Sequence, residues 1–571
     1  MINNIKKLIY SNNLDGYLIP KNDEYFTEYS NASYLKLVSK FSGSAGFALI
    51  LKNKNYLFVD GRYTLQAKKQ SGGKFKILEI PYIWPKNIFY KLNKKLNIGF
   101  DPRLFTYNSL KKYFENSCNL LSINKSIFKK NKNNTFSKNN SFYVLNNNVV
   151  GESTNLKIIG LNKLLKKNKI NYLFISAGEN VCWLLNIRGK DLPNSPVANC
   201  KLIISNKKRI YFFSPLHKTT KIRKKFKNLK ISFHKEEDFF QILSSLKDGN
   251  FCIDSQTCSV LSEVLIKSKF NIKFKTDPIY NFKSIKNKTE IKNMKEAHIH
   301  DGIALTKFLH WIKKKKKINL TEKDVEKKLE NFRKKSKNYL YPSFNTIAGS
   351  GPNGAIIHYK STETSSRKLN KKDLLLVDSG GQYKWGTTDV TRTICFSKPK
   401  SNIKDIFTKV LKGHIAVANT NLKKDNIGSK IDKRARKFLR ESNLNYSHGT
   451  GHGVGFFLNV HEGPQSISKI NKVKIKEGMI LSNEPGFYKK DNFGIRIENL
   501  LVCCSHKSNS LFFETISWAP FDTDLIDISL LDEEEIKWIN DYHNNVYVKI
   551  SPNLNIEEKQ WLNAVTSPLE K

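Results

Sequence analysis

Leu374-Leu375-Leu376-Val377-Asp378-Ser379-Gly380-Gly381, followed through Gln382 and Gly386 by Thr387-Thr388-Asp389-Val390-Thr391-Arg392-Thr393-Ile394, reads as two strands joined by a turn. With that hairpin centred between Tyr383 and Lys384, Asp378 and Asp389 oppose each other, their Cβ atoms roughly 5 Å apart on one face. Two carboxylates so placed suit a pair of metal ions ~3.5–4 Å apart. A second stretch repeats the form: Ile480-Leu481-Ser482-Asn483-Glu484-Pro485-Gly486-Phe487-Tyr488 and Gly494-Ile495-Arg496-Ile497-Glu498-Asn499-Leu500 fold about Asp491. Glu484 and Glu498 are equidistant from Asp491, so a simple hairpin opposes them too, and a bulge at Pro485-Gly486 would shift that register.

His452 lies between the two hairpins, and with Asp378, Asp389, Glu484 and Glu498 it makes a five-ligand site for two metal ions. A lone turn aspartate is ordinarily a solvated turn residue. Four carboxylates that each follow an apolar strand are different, because burying such charges without a cation costs several kcal/mol each, on the order of the desolvation penalty. Oxygen-rich ligation with one imidazole favours hard or borderline divalent ions; Mn²⁺ leads, with Co²⁺ or Zn²⁺ as alternatives.

Between the hairpins stand His448-Gly449-Thr450-Gly451-His452-Gly453-Val454-Gly455 and Asn459-Val460-His461-Glu462-Gly463-Pro464, and upstream of both is Gly351-Pro352-Asn353-Gly354-Ala355-Ile356-Ile357-His358-Tyr359. These motifs, in this order, resemble the pita-bread-fold metallopeptidases of the Xaa-Pro aminopeptidase and prolidase family, and most closely its long, three-domain aminopeptidase P type. The resemblance implies that Asp378, Asp389, His452, Glu484 and Glu498 are the ligands. Asp389 and Glu498 would bridge the ions, His452 and Glu484 would complete one site, and Asp378 would complete the other. It further implies that His358 and His461 contact substrate and stabilise the tetrahedral intermediate, that His448 lines the proline side, and that His452 also borders the substrate. Arg496, two residues before Glu498, would hold a ligand carboxylate or form an ordinary salt bridge. Arg62, in Asp60-Gly61-Arg62-Tyr63, matches a family motif tied to peptide binding; the competing role is a turn arginine.

The implied activity is removal of the N-terminal residue from peptides with proline second. Two bound cations supply a bridging hydroxide at neutral pH and polarise the scissile carbonyl, while Glu484 accepts the nucleophile's proton and passes it to the leaving nitrogen. That nitrogen belongs to proline, which has no N–H to offer, so a pocket shaped for the pyrrolidine ring becomes the selectivity device. Prolidase, acting on Xaa-Pro dipeptides, uses the same ligands and is the alternative. A non-catalytic binding module of this fold is a further one, opposed by the presence of every ligand. Two departures stand out. Trp385 occupies a turn position where relatives carry an acid, and the His452-to-His461 spacing is two residues longer than in short bacterial aminopeptidases, in keeping with the long type.

A chain of 571 residues has length for about three or four domains. Alternating strand and helix signals, such as Gly16-Tyr17-Leu18-Ile19-Pro20 and Ala48-Leu49-Ile50-Leu51, give an α/β domain over residues 1–123. Residues 124–155 follow as a Lys/Asn-rich linker. A second α/β domain, creatinase-like by resemblance, spans 156–283 and includes the strand Tyr172-Leu173-Phe174-Ile175-Ser176. The catalytic domain runs over 284–518, opening on a long helix whose Leu305, Phe308, Leu309 and Ile312 form one buried stripe. Amphipathic helices around Trp538 and Trp561-Leu562 complete 519–571. The fold class is thus α/β (α+β), two creatinase-like domains followed by a pita-bread domain, and no internal tandem repeat stands out.

Ninety-eight Lys and Arg against fifty Asp and Glu give a net charge of +48, which invites a nucleic-acid reading. Lysine is spread with asparagine and isoleucine through every segment, which marks compositional bias and no selected patch, so no specific nucleic-acid partner is expected. The lysine run at 313–317 ends the long helix, where cations suit the macrodipole and are solvated. The eight cysteines form no CxxC pair and read as small core hydrophobes; Cys395 is one of these and not a nucleophile. The N-terminus has no signal-peptide core and no segment approaches ~18 consecutive apolar residues, so a cytoplasmic location with no membrane partner is expected. Homodimerisation is implied by the resemblance.

Overall fold

The computed structural model describes residues 1–27, 33–92, 94–124, 140–315, 319–506 and 510–571, which form two compact units, Met1–Tyr280 and Asn281–Lys571. In the first unit, strands β1 (Gly16–Pro20), β2 (Phe47–Leu51), β3 (Asn55–Asp60), β4 (Lys76–Ile80), β5 (Asn97–Phe100) and β6 (Asn119–Ser122) make a sheet of order β4-β3-β2-β1-β5-β6. A short pair, β7 (Tyr143–Val144) with β9 (Ile187–Arg188), stands beside a second sheet. That sheet is built from β8 (Tyr172–Ile175), β10 (Lys201–Ser205), β11 (Ile210–Phe213), β12 (Ile231–His234), β13 (Asn250–Ile253) and β14 (Asn271–Phe274), ordered β12-β11-β10-β8-β13-β14.

The two sheets repeat one another. In each, the first strand pairs antiparallel with the second and parallel with the fifth, and the outer strands are parallel. This likeness lies in the connections and pairing directions, which apolar strand sequences do not record, and is no tandem repeat of sequence. The linker also ends earlier than 155. Residues 125–139 lie outside the described residues, but Phe142 is fully buried, Tyr143 and Val144 pair with Arg188 and Ile187, and Ser153 caps a helix over Thr154–Lys167. These apolar residues, sparse in a polar stretch, already belong to the second sheet's packing.

The second unit contains two similar halves. The first has helices α1 (Lys288–Lys313) and α2 (Glu322–Arg333), then β15 (Tyr339–Pro342), β16 (Ile347–Ser350), β17 (Leu375–Ser379), β18 (Gly381–Tyr383), β19 (Gly386–Thr387) and β20 (Val390–Ile394). The other has α3 (Ser401–Ala418) and α4 (Gly428–Arg440), then β21 (Gly451–Gly453), β22 (Glu462–Ile467), β23 (Ile480–Asn483), β24 (Gly486–Lys489), β25 (Phe493–Arg496), β26 (Asn499–Ser505) and β27 (Leu511–Thr515). Each half is thus a helix pair followed by strands that carry two of the four carboxylates. The sheets β16-β17-β20 and β22-β21-β23-β26-β27 present them, and this is the pita-bread arrangement.

Asn287 opens α1 by accepting from the amides of Thr289 and Glu290, and its own amide donates to the Glu290 carboxylate. Leu305, Phe308, Leu309 and Ile312 bury one stripe of this helix against Val377, Val390 and Ile394 of the first hairpin. Lys313, at its end, is not solvated as expected: its Nζ lies 3.0 Å from both Asp522 and Asp524. Lys316 and Lys317 fall outside the described residues. Helices α5 (Glu533–Ile550) and α6 (Ile556–Val565) close the unit, with Trp538 and Trp561 packed on its core. All eight cysteines are free and Cys504 alone is not fully buried; burial pushes the Cys395 thiol up to about 12, in line with a core role. No described helix is long and apolar enough to cross a membrane.

Candidate metal centre

β17 and β20 pair with Asp378 opposite Thr391 and Ser379 opposite Val390, while β18 and β19 pair Gln382 with Thr387. The first hairpin is therefore centred between Lys384 and Trp385, one position beyond the expected centre. Asp389 is not directly opposite Asp378 but diagonal to it, still on the same face, where Cα atoms are typically ~7–8 Å apart. A diagonal offset on one face still leaves both carboxylates turned toward the same side of the hairpin. In the second hairpin the expected register holds: Asn483 pairs with Asn499 and Gly486 with Arg496, leaving Glu484 and Glu498 opposed, and Asp491 turns with φ 57.

The strands bring the acids and His452 together. Ligand atoms of Asp389, His452 and Glu498 lie within 4.8 Å of one another. His452 Nε2 is 3.4 Å from Asp389 Oδ2 and 3.6 Å from Glu484 Oε1. Its Nδ1 is 2.9 Å from Gly453 O, which leaves Nε2 for the cluster. Ser482 Oγ accepts from the His452 amide at 2.9 Å and donates to Glu484 Oε1 at 3.0 Å, so one hydroxyl sets both residues. His461 stands edge-on to His452, ring centroids 4.2 Å apart. Buried Lys283 and Lys286 both grip the carboxylate of Glu462, which fixes the start of β22 directly after His461.

Arg496 is buried and donates Nη2 to Asp378 Oδ2 and Nη1 to Tyr488 Oη (2.6 Å), and Tyr488 Oη meets His448 Nε2 at 2.9 Å. Arg496 thus both forms a salt bridge and holds one of the clustered acids. Thr391 Oγ1 donates to Glu498 Oε2 at 2.7 Å and ties the two hairpins together. Sequence reasoning missed Thr391, Tyr488 and Ser482, although each sits within a quoted motif; Thr391 and Ser482 bond to acids, and Tyr488 bonds to Arg496 and His448. Trp385, in the first turn, packs edge-on against Phe457 at 5.3 Å.

His358 follows the 3₁₀ turn Gly351–Ala355. Glu322, buried at the start of α2, accepts from the Ser350 amide, from Asn353 Nδ2 and from Tyr359 Oη, and so pins both ends of the loop that presents His358. Gly354 lies so close to Gly494 of β25 that a Cβ at 494 would sit 1.8 Å from Gly354 O. Two facing glycines are what allow this loop to rest on the second hairpin. Arg62 belongs to the first unit, where its guanidinium forks onto Asp60 at 2.9 and 2.8 Å.

The electrostatics fit divalent cations. Burial, only partly offset by Arg496, raises the Asp378 carboxyl to about 6, and burial together with the other acids raises Glu484 and lifts Glu498 well above the usual carboxylate range. Burial opposes the charged form of His452, yet its bond to Asp389 and the charge of Glu484 lift it to about 9. Buried Asp378 Oδ1 has no hydrogen-bond partner among the described residues. Four clustered carboxylates against one guanidinium and one imidazole, with an orphaned oxygen among them, make a site short of positive charge and rich in oxygen donors.

The chain matches the models of metallopeptidase family M24 over residues 292–504, of the creatinase/prolidase N-terminal domain over 1–127 and again over 133–290, and of the C-terminal region of peptidase M24 over 509–569. It is 35% identical to Xaa-Pro aminopeptidase 1 of Dictyostelium discoideum, covering 100% of this chain and 96% of the relative. Identity to aminopeptidase P2 of Arabidopsis thaliana is also 35%, over 98% and 86% of the two chains. The crystal structure of X-prolyl aminopeptidase from Caenorhabditis elegans, described as a cytosolic enzyme with a di-nuclear active site, superposes with a TM-score of 0.92 at 29% identity, over 100% of this chain and 99% of that one. The chain belongs to metallopeptidase family M24, among its Xaa-Pro aminopeptidases.

Proposed function

We propose that this chain is a metalloaminopeptidase that releases the N-terminal residue from peptides with proline in second place, using two divalent ions held by Asp378, Asp389, His452, Glu484 and Glu498. The observation that carries the reading is the buried ring of carboxylates around His452, presented by two opposed hairpins with His461 edge-on beside it. The di-nuclear site described for the C. elegans relative supports two ions, and the oxygen-rich donor set favours Mn²⁺. Bound there, such a pair supplies an acidified water and a polarised carbonyl.

The protein's own groups do the rest. Glu484, its Oε1 held by Ser482, takes the nucleophile's proton and returns it to the prolyl nitrogen, which leaves as a secondary amine. His461 and His358 face the developing oxyanion as donors. His448, held by Tyr488, borders the proline ring. Arg496 fixes Asp378 by Oδ2 and leaves Oδ1 for the metal. Arg62 is assigned to peptide binding on the resemblance alone; its fork onto Asp60 orients it and also satisfies a purely structural role. A homodimer and a cytosolic location complete the reading, the latter supported by the relative described as cytosolic.

The test is hydrolysis of a Xaa-Pro-Xaa tripeptide and a Xaa-Pro dipeptide by chelator-stripped protein, before and after Mn²⁺, with Asp389→Ala beside it. Metal-restored cleavage of the tripeptide, absent in the variant, is expected. Cleavage of the dipeptide alone would make the protein a prolidase, and activity on neither would make it a binding module.

A further inference from the structure

Arg392 stands three residues beyond Asp389 on β20, buried, and meets no carboxylate among the described residues. Its Nη1 donates to the carbonyls of Thr391 (2.8 Å) and Glu498 (2.7 Å). Its Nη2 reaches Asn499 Oδ1, Ala519 O and Tyr542 Oη, each at 2.8 Å, and Nε reaches Pro520 O at 3.1 Å. The Phe521 ring covers one face at 4.8 Å. The acceptors therefore come from both carboxylate-bearing strands and from the C-terminal segment. Tyr542, on α5, spends its own proton on Ala519 O at 2.8 Å, and its ring stacks on Phe521 and Trp538.

A buried guanidinium is costly when it faces only neutral acceptors, and the negative charge that favours it here is the acid cluster just beyond Glu498. The same fork fixes geometry. Arg392 joins the main chain at 391 to that at 498, the two places where the hairpins already meet through Thr391 Oγ1 and Glu498 Oε2 and through the Glu498 amide and Thr391 O. A helix packed only for stability needs the Trp538 and Phe521 stacking but no buried hydroxyl against an arginine.

We infer that the C-terminal helix α5 is a working part of the metal centre, with Tyr542 a positioning residue that holds the Arg392 fork and, through it, the Glu498 main chain. This rests on Asp389 and Glu498 being ligands. Partners outside the ligand shell typically change metal affinity by ~10–100-fold, and Tyr542, one step further out, belongs at the lower end.

The experiment uses the full chain stripped with chelator, titrated with Mn²⁺ by calorimetry, and separately loaded with Co²⁺ for its visible absorption. Tyr542→Phe keeps the ring and removes the hydroxyl; it is expected to bind Mn²⁺ about tenfold more weakly, with shifted Co²⁺ bands. Val546→Ala thins the buried packing of the same helix further along, away from the Trp538, Phe521 and Tyr542 stack; it is expected to lower the melting temperature of the stripped protein and leave Mn²⁺ affinity and Co²⁺ bands as they are. If Tyr542→Phe keeps parental Mn²⁺ affinity within twofold and parental Co²⁺ bands, the helix is only a structural cover and the inference fails. Asp389→Ala separates the two readings: its loss of Mn²⁺ binding upholds the ligand set whatever Tyr542 does, and its retention of full binding overturns the ligand set and this inference together.

Discussion

Gly494→Ala tests whether the seat of the His358 loop on the second hairpin governs catalysis. The added Cβ would lie 1.8 Å from Gly354 O, against a floor of 3.0 Å for real Cβ contacts, so one side must retreat by roughly 1.2 Å, the difference between them. Neither side yields easily. Asn353, next to Gly354, is tied to Glu322 at 3.0 Å, and a Cβ at Gly349 would already meet Gly354 N at 2.7 Å. On the other side Phe493 and Ile495 are buried and Gly494 is paired with Tyr488. The displacement therefore falls on the loop reaching His358 or on the strand reaching Glu498, each four residues away. A shift near 1 Å at a positioned catalytic group costs about 10²-fold, and overpacking costs ~1–3 kcal/mol of stability. The expected result is a folded protein, a few degrees less stable, with kcat/KM on a Xaa-Pro-Xaa tripeptide reduced about a hundredfold. Gly449→Ala, where a Cβ meets nothing closer than 3.4 Å, is expected to stay within a few-fold of the parent. A folded, Mn²⁺-loaded Gly494→Ala protein with kcat/KM within threefold of the parent would refute the reasoning.

Tyr488→Phe removes the hydroxyl shared by Arg496 and His448. About tenfold lower kcat/KM is expected, carried mainly by KM because the proposed function puts His448 beside the prolyl ring; steady-state kinetics with unchanged KM would show that His448 is held by other means. Glu322→Gln leaves the loop anchor with one acceptor oxygen for the partners that two now serve, and is expected to cost ~1–3 kcal/mol in urea unfolding and to lower kcat. Acid sensitivity has a defined source in His414 and His543, whose burial, reinforced by the nearby charge of Arg392, holds both down to about 3. Between that value and ~6.5 the unfolded chain binds protons that the folded chain refuses, so stability is full above ~6.5 and falls as pH drops. The loss at pH 5 is on the order of 2 kcal/mol for each histidine. Urea midpoints at pH 7 and pH 5 check this, and His543→Gln, which keeps an acceptor for the Phe521 amide, should reduce the pH slope by up to about one proton.

The residues that make the site were legible because buried carboxylates stand out against apolar strands, while their exact opposition was legible only where the turn was unambiguous. Asp491 takes the left-handed conformation and centres the second hairpin on itself, so the spacing to Glu484 and Glu498 fixes their pairing. In the first hairpin Gly380, Gly381 and Gly386 allow several turn centres, and the pairing settles one position later because Gly380 must pass Thr388 O, where a Cβ would come within 1.9 Å. Strand pairing alternates faces, so a shift of one residue in the turn centre moves the cross-strand partner by two and keeps Asp389 on the same face as Asp378. The cluster of acids survives that error, whereas a slip of one residue in pairing would have sent one acid to the far side. What stayed hidden were the bonds between segments distant in sequence, such as Thr391 with Glu498, Arg392 with Tyr542 and Glu322 with Tyr359. Each is a polar residue whose partner lies far along the chain, and no local periodicity marks it. The first two bonds hold the strands that carry the acids and the third holds the loop of His358, so the sequence names the clustered acids more readily than it names what keeps them together.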